Sequence, residues 1–429
     1  MIRILQISDI HFLSCEDEDD KYSQLRQRLL DDVDDLVNTR GDVEVILVCG
    51  DIANKGQREE YDKAHQFFAD LAVHSHCSLD RIYLVPGNHD VNWNSHKTTR
   101  ELLRKELFDE KTNDEVLSKW RNEEPLALVL AHAPFENYRE MALVFNSNDD
   151  LAKAIIDGEQ DLSKRKMYWT KEIGQESGYH VNLYGMSTAL ISGSDDFVPE
   201  KGTGQKMFLP KCSFMIVAKE EDINISMMHH PMTHVLRGSA VEKALDNRFQ
   251  IQLYGHTHKQ SSNAKDVIKI YSGALQPEEE EGDEYVPIYN LIELHVGNTE
   301  AGNRLVIDLY SRQGSDSGFI AYKKEKETLS VPLKHENHWA DTVPHDDGSE
   351  ENKQTTPQTT TAMKRTINEI NYQFLTISPS IAKKVMLKMY KDSYDARLAD
   401  RNNRLRFLQR VKKDNKYEDL DKLITENNG

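Results

Sequence analysis

Short apolar runs of strand length alternate with longer amphipathic segments along the first part of the chain. Apolar and β-branched positions predict five strands, at residues 2–7, 43–49, 81–85, 223–228 and 249–254. Between the first three runs, residues 22–37 and 58–73 carry apolar side chains at helical spacing. This β-α-β-α-β order predicts an α/β fold.

Each predicted strand is followed by a polar block rich in aspartate and histidine. In chain order the five blocks are Asp9-Ile10-His11, Gly50-Asp51, Gly87-Asn88-His89-Asp90, His229-His230-Pro231 and Gly255-His256-Thr257-His258. Open α/β sheets build their functional sites at the carboxyl ends of the strands. The sequence therefore predicts that the five blocks meet in one site.

The residue types in these blocks are suited to a pair of metal ions. One carboxylate, such as that of Asp51, can serve two ions that lie about 3.5–4 Å apart. Asp9 and His11 are two residues apart on an extended segment, so both can face one ion. Asn88 offers a neutral oxygen, and Gly87 lacks the Cβ that would obstruct a tight turn. Because the donors are nitrogen and oxygen without cysteine, Mn (favoured), Fe, Zn, Co or Ni fits better than structural zinc or calcium.

The ordered blocks resemble the signature of the calcineurin-like metallophosphoesterases, which runs D-x-H, G-D, G-N-H-D/E, H and G-H-x-H. The resemblance covers about residues 1–310 apart from a long insertion, and it implies a four-layer α/β/β/α sandwich. It implies two divalent ions, one held by Asp9, His11, Asp51 and His258, and the other by Asp51, Asn88, His229 and His256. It also implies that His89 is the general acid and that a hydroxide between the metals attacks phosphorus. By the same resemblance, His229 is preferred to His230 as the ligand.

The segment after Asp51 separates branches of this superfamily. Protein serine/threonine phosphatases carry G-D-x-x-D-R-G, whereas this chain has Asn54 and Lys55 in place of Asp and Arg, and Asp90 in place of the usual glutamate. Residues 50–68 look more like bacterial phosphodiesterases of the cyclic-nucleotide type. The preferred hypothesis is hydrolysis of a phosphodiester of a nucleotide or nucleic acid. The alternative enzyme is a phosphomonoesterase that acts on phosphoprotein or small phosphates.

An insertion predicted at about residues 95–180, with helical stretches at 98–120 and 135–144, is placed to form a cap over the metals. Candidate substrate-binding residues are Asn54, Trp93 and His230, and Trp93 can either stack a base or pack in the core. We interpret His132 as a structural or rim residue, because it lies too early in the chain for the histidine ligand. Later strand-like runs at residues 266–271, 287–295 and 304–309 fit the second sheet of the sandwich.

Composition limits the class of protein and its compartment. The 429 residues are 38% hydrophobic, and no apolar run approaches the roughly 20 residues that cross a membrane. The chain begins directly with a strand, without a signal peptide, and its four cysteines share no paired spacing, which favours a cytoplasmic protein with free thiols. A net charge of −18 argues against bulk attraction to nucleic acid. Acidic runs at residues 16–20 and 278–281 are predicted to be solvated loops, and the first favours small substrates.

The end of the chain changes character twice. The proposed division is a metallophosphoesterase domain over residues 1–325, a flexible polar linker over 326–362 and a helical interaction domain over 363–429. Residues 381–416 contain twelve Lys and Arg against four Asp, within an otherwise acidic protein. This domain resembles the effector-associated adaptor modules of bacterial conflict systems, which implies recruitment of a protein partner and a role in antiviral defence. Binding to nucleic acid, or a self-packing or oligomerising appendage, is the alternative, and the oligomeric state stays open.

Overall fold

The fold was obtained as a computed structural model of the chain. It describes residues 1–14, 22–108, 113–193, 195–196, 202–276, 286–300, 302–333, 365, 367–394 and 400–428. Both acidic runs, at residues 16–20 and 278–281, and most of the predicted linker lie outside these residues. The chain divides into two compact units, Met1–Lys334 and His335–Gly429.

Strands and helices alternate through the first unit, and helices form the second. The strands are β1 (Ile2–Ile7), β2 (Val45–Val48), β3 (Ile82–Leu84), β4 (Tyr168–Glu176), β5 (Tyr179–Met186), β6 (Ile223–Met227), β7 (Ile251–Tyr254), β8 (Ser261–Ala264), β9 (Ile268–Tyr271), β10 (Ile288–Thr299), β11 (Gly302–Ser315), β12 (Gly318–Ala321) and β13 (Glu327–Pro332). The helices are α1 (Ser23–Arg40), α2 (Arg58–His74), α3 (Lys97–Leu107), α4 (Asn113–Asn122), α5 (Pro125–His132), α6 (Glu136–Val144), α7 (Asp150–Asp157), α8 (Lys211–Phe214), α9 (Gly238–Asp246), α10 (Ile367–Thr376), α11 (Pro379–Met389), α12 (Asp400–Lys413) and α13 (Tyr417–Asn428).

Two mixed sheets organise the first unit. The first has the strand order β12-β11-β10-β1-β2-β3, with β13 also paired to β11, and the second has the order β4-β5-β6-β7-β9-β8. Strands β1, β2 and β3 are parallel to one another, as are β5, β6, β7 and β9. The carboxyl ends of the parallel strands therefore lie together at one edge of each sheet. All five polar blocks begin at these edges.

One apolar core lies between the two sheets. Ile4 and Leu47 of the first sheet belong to the same buried cluster as Trp169, Ile225 and Leu253 of the second. These residues are the inward positions of strands whose neighbouring residues are also apolar, as expected where both faces of a sheet are covered. This shared core holds the two carboxyl edges next to each other.

Helices cover the outer faces of both sheets. On the first sheet, Asp32 of α1 accepts hydrogen bonds from Tyr289 of β10 and from Arg312 of β11, the latter at 2.9 Å from Nε. On the second sheet, Val241 and Leu245 of α9 join an apolar cluster with Tyr254 of β7. The order helix, sheet, sheet, helix confirms the predicted α/β sandwich.

The helical insertion is shorter than predicted. Its helices α3 to α7 pack around a separate apolar cluster that includes Leu107, Trp120 and Leu128. Residues 168–180, however, form β4 and the start of β5, whose Trp169 and Tyr179 are buried between the sheets. The helices of the insertion therefore end at Asp157, and residues 168–180 belong to the second sheet.

Two later assignments also need correction. The runs predicted at residues 287–295 and 304–309 are β10 and β11, and they lie in the first sheet, where β10 pairs antiparallel with β1. Strand β13 pairs with β11 and includes the buried Leu329 and Val331, so the first unit continues past the predicted boundary at residue 325. Sequence pattern shows that a run is a strand, but it does not show which sheet the strand joins.

The second unit is helical, as predicted, although the described residues form four helices rather than two or three. Phe374 of α10 and Phe407 of α12 are buried against each other, with their ring centroids 4.8 Å apart. Arg404 of α12 donates hydrogen bonds to the carbonyls of Phe374, Leu375 and Ile377 at the end of α10. Among the described residues of either unit, no helix combines the length and the apolar character needed to cross a bilayer.

We expect Leu329→Ala to lower the free energy of unfolding of the full chain by about 2–5 kcal/mol, because it leaves a cavity beside β11. Chemical denaturation followed by circular dichroism measures this change. Lys324→Ala, at an exposed position in the same segment, is the matched control and should change stability little. Equal effects of the two substitutions would contradict the assignment of β13 to the core of the first unit.

Candidate dinuclear metal site

The polar blocks that follow the strands adopt unusual backbone conformations. Five of their residues have positive φ, namely Asp9 (53°), His11 (48°), Asp51 (52°), His256 (65°) and His258 (52°). Each such conformation costs on the order of 1–3 kcal/mol in a residue with a side chain. These conformations turn the side chains of three separate loops towards a common centre, which is typical of a functional site.

Asp9 links the first sheet to the second. Its Oδ2 accepts a hydrogen bond of 3.1 Å from the backbone N–H of His256, and its Oδ1 lies 3.2 Å from Nε2 of His258. Burial would raise the pKa of Asp9, but His258 and His229 hold it below its usual value. The carboxylate is therefore charged and directed into the site.

Asp51 is at the centre of the arrangement. Its Oδ1 accepts a hydrogen bond of 2.8 Å from the backbone N–H of His89, and its Oδ2 lies 3.0 Å from Nε2 of His229. The same Nε2 lies 3.2 Å from Oδ1 of Asn88. Carboxylate, amide and imidazole atoms from both sheets thus converge on one point.

The orientation of His229 is set by the main chain. Its Nδ1 is 2.8 Å from the carbonyl oxygen of Cys49, which can only accept a hydrogen bond, so Nδ1 carries a proton. Burial would lower the pKa of His229, but the Asp51 carboxylate raises it to about 9. A divalent ion bound by Nε2 and the adjacent oxygens would displace the proton that Nε2 carries in the cationic form.

His11 provides a test of whether the site fits metal ions. Its ring is 2% exposed, and within the described part of the chain neither Nδ1 nor Nε2 has a hydrogen-bond partner. Burial lowers the pKa of His11 to about 4, and repulsion from the nearby His89 is a smaller cause of the same shift. The ring is therefore neutral at pH 7. A buried neutral imidazole without a partner is costly unless a ligand completes it, and an imidazole lone pair is a good metal donor.

Donor atoms within 4.8 Å of one another form four overlapping groups: Asp9, His11 and His258; Asp9, Asp51 and His229; His11, Asp51 and His89; and His229, His230 and His256. With Asn88 beside His229, the structure brings all seven predicted metal ligands into one cluster. The donor set of nitrogen and oxygen atoms, anchored by two carboxylates, fits two divalent ions.

His89 lies at the edge of this cluster. Its Nδ1 is 2.9 Å from the backbone carbonyl oxygen of Asn54, and its ring packs edge to face against His11 with centroids 4.7 Å apart. Because a carbonyl oxygen accepts a hydrogen bond, it keeps the proton on Nδ1 and leaves Nε2 for chemistry. Asn54 therefore contacts the candidate catalytic histidine through its backbone carbonyl. The amide side chain of Asn54 gave no indication of this contact.

Asp90 has a structural position. It is fully buried and accepts hydrogen bonds from the backbone N–H groups of Ile52, Ala53 and Gly87 and from the hydroxyl of Tyr61. Burial and the neighbouring Asp51 raise its pKa to about 6. Asp90 thus ties the loop after β2 to the loop after β3, which keeps Asp51 and Asn88 in register.

His230 lies behind His256 on the side of the second sheet. Its Nδ1 is 2.8 Å from the hydroxyl of Thr188, while its Nε2 is buried without a hydrogen-bond partner among the described residues. The rings of His230 and His234 are 4.4 and 4.7 Å from that of His256. Thr188 and His234 were not predicted, and only their position in space connects them with the site.

Two other predicted residues lie apart from the donor atoms. Trp93 is 36% exposed, and its ring centroid is 5.8 Å from that of His89. His132 lies at the end of α5 in the insertion, where burial lowers its pKa to about 3 and its ring contacts Phe135. It is in none of the four donor groups.

Glycines permit the close approach of the loops. A Cβ on Gly87 would lie 2.1 Å from Oδ1 of Asp51, and one on Gly255 would lie 2.1 Å from Oγ of Ser8 and 2.6 Å from the carbonyl oxygen of Cys49. The structure thus gives a different reason for a glycine at position 87 than the tight turn that was expected. Gly87 has no side chain because the Asp51 carboxylate packs against it.

Comparisons with known proteins agree with this architecture. The model of the family described as calcineurin-like phosphoesterase matches residues 2–260, which include all five blocks. An uncharacterized metallophosphoesterase-like protein of Bacillus subtilis, YydB, is 25% identical over 314 residues. That alignment covers 70% of this chain and 58% of the relative, so the chain spans little more than half of the relative's length.

Similar solved structures include a dimetal phosphatase from Danio rerio, at 12% identity and a TM-score of 0.42, covering 77% of this chain and 99% of that one. Vps29 from Chaetomium thermophilum, at 11% identity and a TM-score of 0.32, covers 80% of this chain and 100% of its own.

The two-sheet fold and the cluster of carboxylate, amide and imidazole donors are those expected of a metallophosphoesterase. The family match extends over more than half of the chain, and the chain belongs to the calcineurin-like phosphoesterase family.

We expect divalent ions to stabilise the protein and Gly87→Ala to abolish most of that effect, because the added Cβ must displace the Asp51 carboxylate. At a free-ion concentration one hundred times Kd, binding adds about 2.7 kcal/mol to the free energy of unfolding. Thermal unfolding with Mn2+ and with EDTA measures the difference. Gly297→Ala, in β10 and near only Val306, is the control, and an unchanged Mn2+ response in Gly87→Ala would contradict this interpretation.

Proposed function

We propose that the protein hydrolyses phosphodiester bonds of a nucleotide or nucleic acid with two divalent ions, Mn2+ being favoured. The ligands would be Asp9, His11, Asp51 and His258 for one ion, and Asp51, Asn88, His229 and His256 for the other. The observation that carries this proposal is the convergence of buried carboxylate, amide and imidazole donors on a centre bordered by His89. When bound, the ions would supply Lewis-acid stabilisation of the phosphoryl oxygens and lower the pKa of water.

His89 would act as the general acid. The carbonyl of Asn54 holds the Nδ1 proton, so Nε2 is the atom that can deliver a proton to the leaving oxygen. Asp51 supports this role in two ways, because it would bind both ions and also accepts the backbone N–H of His89. Movement of the Asp51 carboxylate would therefore disturb the ions and the acid together.

Preference for a diester over a monoester rests on Trp93. Its ring is partly exposed beside His89 and can stack against a base that is attached next to the scissile bond. A monoester has only one organic substituent on phosphorus, so it lacks a second group that could contact the protein surface around Trp93. The net charge of −18 further favours short substrates over long polyanions.

We expect His89→Ala to lower kcat strongly for a poor leaving group and much less for a good one. Loss of a general acid costs about 10²- to 10⁴-fold when the leaving oxygen needs a proton. Rates on thymidylyl-thymidine and on bis-p-nitrophenyl phosphate with Mn2+ give the comparison, because p-nitrophenolate departs readily without protonation. A similar loss on both substrates would show that His89 supports the metals and is not the acid.

The same assay includes p-nitrophenyl phosphate as a monoester. Faster hydrolysis of the monoester than of the diester would favour the phosphomonoesterase alternative. Absence of metal-dependent hydrolysis on all three substrates would overturn the enzymatic proposal and leave an interaction protein. His132→Ala, in the insertion and outside the donor groups, is the control for non-specific effects of removing a histidine.

We further propose that the helical second unit recruits a protein partner. It has its own buried core, which includes Phe374, Phe407 and Leu420, and residues 381–416 carry the excess of Lys and Arg noted above. A unit that has a buried core of its own and is opposite in charge to the rest of the chain is suited to hold an acidic partner. Recruitment of this kind would be compatible with an antiviral assembly in the cytoplasm.

Deletion of residues 363–429 is expected to abolish recovery of the partner while kcat on bis-p-nitrophenyl phosphate stays within about twofold of the full chain. Affinity purification from the native host, with and without these residues, measures recovery. The enzymatic rate shows that the first unit is still folded. Unchanged recovery of every associated protein after the deletion would contradict a recruitment role.

A further inference from the structure

A cavity of about 670 Å³ lies between helix α3 of the insertion and the loop that follows β5. Trp93 forms part of its wall, and residues 192, 193, 195 and 205 form the side opposite α3. We call this cavity the α3 pocket. Its volume is in the usual range for a site that binds a small molecule, about 300–1,000 Å³.

The α3 pocket is cationic within a strongly acidic protein. Its wall contains the side chains of Lys97, Arg100, Arg104 and Lys105, against the carboxylates of Glu101 and Asp195. The clustering of four cations on one short helix contrasts with the net charge of −18 for the whole chain. Such a pocket attracts a small anion even where the protein repels polyanions.

Arg104 uses its charge to hold the pocket together. It forms ion pairs with Asp195 at 3.0 Å and Asp196 at 2.7 Å, and it donates a hydrogen bond of 2.9 Å to the carbonyl of Ile191. A Cβ on Gly193 would lie 2.1 Å from Nη1 of Arg104, so this guanidinium fits only against a glycine. Arg104 thus fixes the loop to α3 and is already engaged by three acceptors of the protein.

Arg100, one turn earlier on α3, is different. It is 5% exposed, and Asp196, the carboxylate that attracts it, is already paired with Arg104. In the described part of the chain, Nε and Nη2 of Arg100 are buried without hydrogen-bond partners. Buried donors of a charged group are costly when they lack acceptors, and a phosphate in the pocket would supply these acceptors, because a guanidinium binds phosphate through two parallel hydrogen bonds.

Trp93 joins the α3 pocket to the candidate active site. One side of the indole borders the pocket, and its ring is 5.8 Å from the ring of His89. A nucleoside stacked on Trp93 would have its scissile phosphate towards His89 and a second phosphate towards α3. The 5′ and 3′ phosphates of one nucleotide flank the same sugar, so one nucleotide can present them to two neighbouring sites.

We propose that the α3 pocket binds a second phosphate group of the substrate, with Arg100 as its main contact and Lys97 beside it. The substrate class is then a nucleotide that carries a phosphate in addition to the scissile diester, as in a short oligonucleotide or a nucleoside bisphosphate ester. This inference rests on the proposed phosphodiesterase function and extends it to substrate selection.

Two substrates that differ by one phosphate test the proposal. They are the p-nitrophenyl ester of thymidine 5′-phosphate and the same ester with a 3′-phosphate. With the full chain and Mn2+, we expect KM to be about tenfold to hundredfold lower for the 3′-phosphorylated ester. Equal KM values in the wild-type protein would overturn the proposal.

Variants of Arg100 locate the effect. Arg100→Met should remove the KM difference between the two esters and leave kcat/KM for the ester without the 3′-phosphate within about twofold of wild type. Arg100→Lys should restore part of the difference, because it keeps the charge. Lys119→Ala, an exposed lysine of α4 that pairs with Glu106 of α3, is the matched control and should preserve it. Equal loss on both esters in Arg100→Met would indicate a structural role for Arg100.

A binding measurement separates failure of this proposal from failure of the proposed function. Calorimetric titration of the full chain in EDTA with thymidine 3′,5′-bisphosphate and thymidine 5′-monophosphate should show tighter binding of the bisphosphate, lost in Arg100→Met. If the bisphosphate binds more tightly but neither ester is hydrolysed, the result supports the phosphate site in the α3 pocket and contradicts the phosphodiesterase function. If the esters are hydrolysed but the bisphosphate binds no more tightly than the monophosphate, the result supports the function and contradicts the proposal for the α3 pocket. The melting temperature of Arg100→Met should not decrease, since the substitution removes a buried charged group whose Nε and Nη2 lack acceptors in the described part of the chain.

Discussion

The contact on which the rest of the structure depends is the meeting of two carboxyl edges at His229. This histidine follows a strand of the second sheet, yet its ring is fixed by the carbonyl of Cys49 at the end of a strand in the first. Gly255 makes the approach possible, because any Cβ there would collide with the same carbonyl. Without this junction, the ligands from the first 90 residues and those after residue 228 would face separate surfaces.

A second constraint is that the main chain, and not other side chains, selects the protonated nitrogen of the two most important imidazoles. Cys49 holds Nδ1 of His229, and Asn54 holds Nδ1 of His89, each through a carbonyl oxygen. A carbonyl oxygen can only accept a hydrogen bond, so it keeps a proton on Nδ1 of each ring. The carbonyl of Asn54 thus orients the candidate catalytic histidine, His89, although position 54 carries no acidic side chain.

The helical insertion lies beside the candidate site, and Trp93 borders both. Helix α3 begins four residues after Trp93, so the segment that leaves the active-site loop becomes the wall of the adjoining cavity. Arg104 and Arg100 lie one helical turn apart on this wall, and one is committed to the loop opposite while the other is not. The same short helix thus provides both a structural clamp and a cation that is available to a ligand.

The sequence by itself determined the five strands that precede the polar blocks, the helices between the first three of them and the residues that meet in the site, because periodicity and a polar residue at a strand end are local properties. Glycine at position 87 was also evident, although its reason, contact with Asp51, was not. Tertiary structure alone decided that β10 and β11 complete the first sheet, that β13 belongs to the core and that Thr188 supports His230. Strand pairing and contacts between distant loops depend on packing across hundreds of residues, and a local pattern of apolar positions carries no information on which partner is chosen.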